Sequence, residues 1–153
     1  MKRIFIIFIL LCLVPMLTGG GLVSPQENKN VAENNTGKNL VKNGGFETVK
    51  RQDLPDFWIK HTFDRDRSGV RFSLVKDHPY SGKYSAAIEN ITPNDAKWIQ
   101  FVKVKPATVY RLSCRIKAEG IGRDKTGANI SVLGIAAASG DLKDTGGKWA
   151  AVE

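Results

Sequence analysis

Few residues of this 153-residue chain have types and spacings suited to covalent chemistry. The two histidines, His61 and His78, stand at no familiar ligand or dyad spacing from Cys114. Asp64 and Asp66 are the only close acidic pair, but they sit in Asp64-Arg65-Asp66-Arg67, which reads as a solvated turn with local ion pairs rather than as the facing carboxylates of a hydrolase. There is no Gly-x-Ser-x-Gly, no phosphate loop and no His-rich metal spacing, so no enzyme is expected. The chain does hold groups for non-covalent recognition. Trp98 shares a predicted strand face with Gln100, and Arg111 and Arg115 lie on the polar face of the next predicted strand. That places a flat π surface near an amide and a guanidinium. Trp58, His61 and Tyr110 complete the candidate set, each with a plain alternative: Trp58 as core filler, Tyr110 as core with a satisfied hydroxyl.

The elements that would position these groups are two strands, Lys97 to Val104 and Val109 to Ala118, joined by Lys105-Pro106-Ala107-Thr108. In the second, Tyr110, Leu112, Cys114, Ile116 and Ala118 alternate with Arg111, Ser113, Arg115, Lys117 and Glu119, the pattern of a half-buried antiparallel strand. Pro106 suits a turn because it fixes φ and lacks an N–H. Pairing the two as a hairpin sets a register in which a one-residue slip would bury Arg and Lys. Cys114 falls on the apolar face, where a cysteine behaves as a small hydrophobe.

Residues 1–20 are set apart from the fold. Lys2 and Arg3 precede the apolar run Ile4 to Leu17, and Thr18-Gly19-Gly20 suits cleavage, so the segment reads as an export signal. The run is short for a retained membrane span, and Cys12 lacks the small neighbours of a lipidation site, so the protein is expected to be secreted or at the cell surface without stable membrane insertion. With Lys2 and Arg3 removed, the net charge of +8 falls to +6, spread along the chain without a basic block or nucleic-acid motif. Residues 21–38, rich in Asn, read as a flexible linker. Asn34, Asn90 and Asn129 each open a glycosylation sequon by pattern.

From Asn39 onward, short strands and turn clusters predict an all-β sandwich. Asn39-Leu40-Val41 is a predicted strand followed by a turn in which Gly44 and Gly45 supply unusual backbone angles. Strands are expected from Trp58 to Phe63, Val70 to Leu74 and Lys83 to Asn90, then one apolar strand from Ala128 to Ala138, with a helix start at Ala136 as its alternative, and a last strand opening at Trp149.

The order of these signals resembles a known group. Asn39-Leu40-Val41-Lys42-Asn43-Gly44-Gly45-Phe46-Glu47, Pro55-Asp56-Phe57-Trp58, Tyr80-Ser81-Gly82-Lys83-Tyr84-Ser85, Trp98-Ile99-Gln100 and Val104-Lys105-Pro106-Ala107-Thr108-Val109-Tyr110-Arg111-Leu112-Ser113 look like the carbohydrate-binding modules of the family 4, 9, 16 and 22 group. The likeness runs from Asn39 to about Ile135. It implies a galactose-binding-domain-like jelly roll over residues 39–153 and a poly- or oligosaccharide or cell-wall glycan as partner. It also implies sugar contacts from Trp98, Gln100, Arg115, Trp58 and Tyr110. A structural Ca²⁺ would be held by Glu47 and the Lys83 carbonyl, although the closing acidic residue of that site has no match here, and Glu47 equally reads as a surface carboxylate. The resemblance further implies that the closing strands are missing, leaving Trp149 partly uncovered. A non-binding spacer or a fragment of a larger surface protein is the alternative.

Overall fold

Two stretches with strand character, Val70–Val75 and Ser85–Asn90, pair antiparallel over six residues, from Val70 opposite Asn90 to Val75 opposite Ser85. Around this pair the computed structural model, which describes residues 4–5, 39–51, 53–64 and 67–153, is all-β. In chain order the strands are β1 (Ile4–Phe5), β2 (Val49–Arg51), β3 (Leu54–Pro55), β4 (Ile59–Thr62), β5 (Val70–Val75), β6 (Ser85–Asn90), β7 (Ala96–Ile99), β8 (Cys114–Ala118), β9 (Ser131–Val132), β10 (Ala137–Ala138) and β11 (Ala150–Val152). A 3₁₀ turn, Arg67–Gly69, is the one helical element among the described residues. The rest of the leader, the linker, Cys12, the Asn34 sequon, Arg65 and Asp66 lie outside the described residues. No helix of the described residues is long and apolar enough to cross a membrane.

A five-stranded antiparallel sheet has the order β11-β8-β1-β6-β5, and β4 pairs with β7, β2 with β3, and β9 with β10. The arrangement is consistent with a sandwich of small sheets. Its core mixes aromatic and aliphatic side chains in one cluster. Phe46 and Trp58 stack at 4.9 Å and Phe72 meets Trp98 edge-on at 5.2 Å, while Ile88, Ile116, Ala118 and Ile130 fill the remainder. Offset and edge-on contacts of this kind suit the ring quadrupoles.

The expected hairpin between residues 97 and 118 does not form. Its first strand is cut to Ala96–Ile99 and pairs with β4, Lys60 opposite Trp98; its second is cut to Cys114–Ala118 and pairs with β1 and β11. The reason lies at Gln100, whose buried side chain accepts the Lys42 N–H at 2.7 Å and donates to the Lys42 carbonyl at 2.8 Å. These two bonds fix the chain just after β7 to the 41–46 turn and satisfy the buried amide there. The turn at Pro106-Ala107 is present, with Ala107 at φ 51°, and the inward set Leu112, Cys114, Ile116 and Ala118 is as the alternation requires.

Three further expectations are corrected. Asn39 to Val41 is not strand but leads into a turn, and the left-handed angles there fall on Asn43 (φ 50°) and Phe46 (φ 63°), not on Gly44 or Gly45. Asn43 tolerates that conformation because its side chain bonds the Thr48 N–H, the Thr48 carbonyl and the Asp56 carbonyl. Nothing in the structure explains why Gly44 is glycine. Ala128 to Ala138 is not one strand: Leu133 to Ala136 make a turn that folds β10 back on β9, with Gly134 at φ 89°, and no helix starts at Ala136. Ile4–Phe5, set apart from the fold by the sequence, forms a strand between β6 and β8.

Candidate functional site

The sequence-predicted residues separate into two groups. Trp98 has no exposed surface: Phe72 covers its edge, and the Lys60 ammonium lies 5.5 Å from its ring centroid. Burial pushes the Lys60 ammonium below its usual pKa, partly offset by Asp53. Trp58 is 3% exposed, stacked on Phe46, and its indole N–H donates to the Asn43 carbonyl at 3.0 Å. Gln100 is committed to Lys42. These three are structural members of the interior. His61 is exposed on the opposite face of β4, across from Lys97.

Tyr110 is half-buried, and its hydroxyl accepts the Lys105 N–H at 2.7 Å, which closes the turn that sequence reasoning placed there. The ring lines an apolar cleft of ≈ 330 Å³ with Leu112, Ile130 and Val132. Arg115, in contrast, stands on a surface that also holds aromatic rings, a second cation and a carboxylate. β8 presents Arg115 and Lys117 on one face because residues two apart in a strand point the same way. β11 runs beside it with Ala151 opposite Arg115. This brings Trp149 next to Lys117, whose Nζ lies 5.3 Å from the indole centroid, and Tyr80 next to Arg115, whose guanidinium lies 5.0 Å from the phenol centroid. The two rings meet edge-on with centroids 6.1 Å apart, and the Trp149 N–H donates to the His78 carbonyl at 3.2 Å.

Tyr80 is 53% exposed and Trp149 half-buried. Arg115 also lines a cleft of ≈ 490 Å³ with Arg111, Ser113, Ala151 and Glu153 among others, and Arg111 Nε donates to Glu153 Oε2 at 2.9 Å. The surface thus offers two aromatic rings braced by cations, guanidinium N–H donors, a hydroxyl and a carboxylate. Such a set can stack on an apolar ring face and bond the hydroxyls around it. The sequence located its Arg111 and Arg115 wall and missed its aromatic half. Tyr80 and Trp149 are 69 residues apart in number, and only the β8–β11 pairing and the turn before β6 bring them together. The one available signal was Trp149 at the opening of the last predicted strand.

The polar face has an apolar back. Cys114 lies partly buried beneath it, and desolvation pushes its thiol up to about 12. A thiol held neutral in this way is a packing group rather than a nucleophile.

Glu47 and Lys83 do come together. Glu47 Oε1 accepts the N–H groups of Lys83 at 2.9 Å and Tyr84 at 3.2 Å, and Oε2 accepts Lys83 N–H at 3.1 Å. The turn therefore aims amide donors at the carboxylate, whereas a hard cation needs six to eight oxygens around it. Among the described residues no group of three or more His, Cys, Asp or Glu could hold a metal ion. The residues present thus supply one carboxylate already bonded to two amides, a poor fit to a calcium shell. Comparison of the chain with family models, with curated proteins and with solved structures gave no match.

Proposed function

We propose that this chain is a secreted, non-catalytic carbohydrate-binding domain of the jelly-roll, galactose-binding-like type, and that its saccharide site is the β8–β11 face built from Tyr80, Trp149, Arg115 and Arg111. One observation carries the reading: two partly exposed aromatic rings, each with a cation from β8 against it, are linked through Arg115 to a cleft lined by guanidinium, hydroxyl and carboxylate groups. A sugar ring presents C–H faces for stacking and hydroxyls for paired hydrogen bonds, and a polar site matched to those hydroxyls discriminates strongly against ligands lacking them. The acidic pair offers no support for hydrolysis, since Asp64 is exposed in a turn.

The test is affinity electrophoresis of the full chain through gels containing neutral or acidic polysaccharides. Retardation by at least one polysaccharide is expected. Trp149→Ala should weaken it by about tenfold, equivalent to about 1.4 kcal/mol, with Tyr80→Ala in the same direction. A second reading, a non-binding spacer, is favoured by the Arg111–Glu153 ion pair, which already occupies one wall of the cleft. Mobility unchanged on every polysaccharide would establish the spacer.

A further inference from the structure

Asn43 and Gly44 form the only Asn-Gly pair of the chain. Asparagine before glycine is prone to spontaneous cyclisation, because the attacking group is the next backbone nitrogen and glycine has no side chain to hinder its approach. Nothing in the fold demands this glycine. Gly44 takes no left-handed φ, and a Cβ built on it would meet Val41 Cγ1 at 3.5 Å, an ordinary van der Waals contact. The asparagine, in contrast, is held through both polar atoms of its side chain. Its Oδ1 accepts the Thr48 N–H at 3.0 Å, and its Nδ2 donates to the carbonyls of Thr48 at 2.8 Å and Asp56 at 3.1 Å. Its own carbonyl accepts the Phe46 N–H and the Trp58 indole N–H, each at 3.0 Å. One residue thus joins the 41–46 turn to the residue before β2 and to the segment before β4, at a φ of 50° that asparagine tolerates better than most residues.

We propose that Asn43-Gly44 is a fold-gated modification site: the closed turn withholds Asn43 from cyclisation, and deamidation after opening marks the chain in a way that keeps the turn from closing again. The chemistry needs only water. The Gly44 amide nitrogen, its proton lost to solvent, attacks Cγ of Asn43; the new N–Cγ bond closes a five-membered succinimide, and Nδ2 takes up a proton and leaves as ammonia. Water then opens the ring at either carbonyl, giving aspartate or isoaspartate. Ring closure makes Cγ tetrahedral and expels Nδ2, so the bonds to residues 48 and 56 must be given up for it to proceed. The product is disfavoured in its turn. An aspartate at this position sets a carboxylate oxygen, an acceptor only, where Nδ2 stood 2.8 and 3.1 Å from two carbonyl oxygens. An isoaspartate lengthens the backbone of the turn by a carbon atom. Either change reaches the core, because the Asn43 carbonyl also holds the indole of the buried Trp58. The inference is independent of the saccharide reading, since it uses no residue of that face.

The test is peptide mapping of the full chain aged in buffer and in urea at the same temperature and pH, with aspartate and isoaspartate at position 43 followed over time. Deamidation should run at least about tenfold faster in urea, because in buffer it tracks the opening of the turn. Equal rates would overturn the gate. Gly44→Ala, for which the space exists, should slow the reaction severalfold in urea, where folding plays no part. An unchanged rate there would overturn the Gly44 nitrogen as the attacking group. Asn43→Asp reproduces one product directly, and its folding equilibrium constant from urea melts should fall at least about tenfold. A variant as stable as wild type would overturn the one-way step.

Discussion

Glu47 is held by the backbone of the turn it faces, and the conformation of that turn requires glycine at position 82. Gly82 is at φ 67°, and a Cβ there would collide with the Glu47 carboxylate. Removing the acceptor in Glu47→Ala should cost about 1 kcal/mol, since the bonds are charge-assisted but exposed. The corresponding fall in melting temperature is about 2–4 °C for a chain of this size, measured by calorimetry. The same scan with calcium and with chelator checks the ion: a calcium-dependent rise that Glu47→Ala abolishes would place a cation on this carboxylate after all. Cys114 gives a pH-dependent prediction. Its thiol is raised from 9.0 to about 12 in the folded chain. Between those values the unfolded state loses a proton that the folded state keeps, so this contribution to stability is full below pH 9 and is lost as pH rises toward 12. Lys60, lowered by burial, works in the opposite direction at alkaline pH, because its unfolded form binds the extra proton. The difference between wild type and Cys114→Ala isolates the thiol: the wild type should lose stability more steeply from pH 9 to 11 in urea melts. A parallel slope in the two proteins would mean that Cys114 is not desolvated.

At the scale of elements, the Gln100 side chain sets the local architecture by tying the end of β7 to the 41–46 turn. Gln100→Ala leaves both backbone groups of Lys42 without their partner. A loss of about 2–3 kcal/mol is expected from the urea midpoint, with no effect on polysaccharide retardation corrected for folded fraction. Trp98→Ala, by contrast, opens a core cavity next to Phe72 and should cost about 3–5 kcal/mol. Any loss of binding in that variant would follow unfolding, whereas Trp149→Ala should leave the melt within about 1 kcal/mol of wild type. The two tryptophans therefore separate fold from site. A Trp98→Ala protein as stable as wild type would contradict the core placement.

Across the whole molecule the charge distribution decides which saccharides are favoured. The chain has 23 Lys and Arg against 15 Asp and Glu, and two of the cations, Arg111 and Arg115, line the cleft. Exposed charges are screened over about 8–10 Å at ordinary ionic strength. Retardation by an acidic polysaccharide should therefore fall severalfold between low salt and about 0.5 M NaCl, while retardation by a neutral one stays nearly constant, because stacking is not screened. Equal salt sensitivity for both would mean that the basic surface as a whole, not the aromatic pair, does the binding.

Several of these features follow from local order alone. Alternation from Leu112 to Ala118 announced which side chains of β8 turn inward, because a strand has a period of two whatever it pairs with. The turn at Pro106 and the β character of the chain were likewise legible, since proline geometry and β-branched runs act within a few residues. Partner choice was not local. β7 could pair with β8 next in sequence or with β4 nearly forty residues back, and Gln100, by bonding Lys42, tips that choice through a contact 58 residues away. The same holds for the proposed saccharide face. The sequence placed Arg111 and Arg115 outside the apolar set of their segment; only the tertiary structure decided that Trp98 and Trp58 are consumed by the core, that Tyr80 stands against Arg115 and that Trp149 stands against Lys117. Burial is a property of what lies opposite a side chain, and that is set by the packing of distant segments, not by the residue or its neighbours.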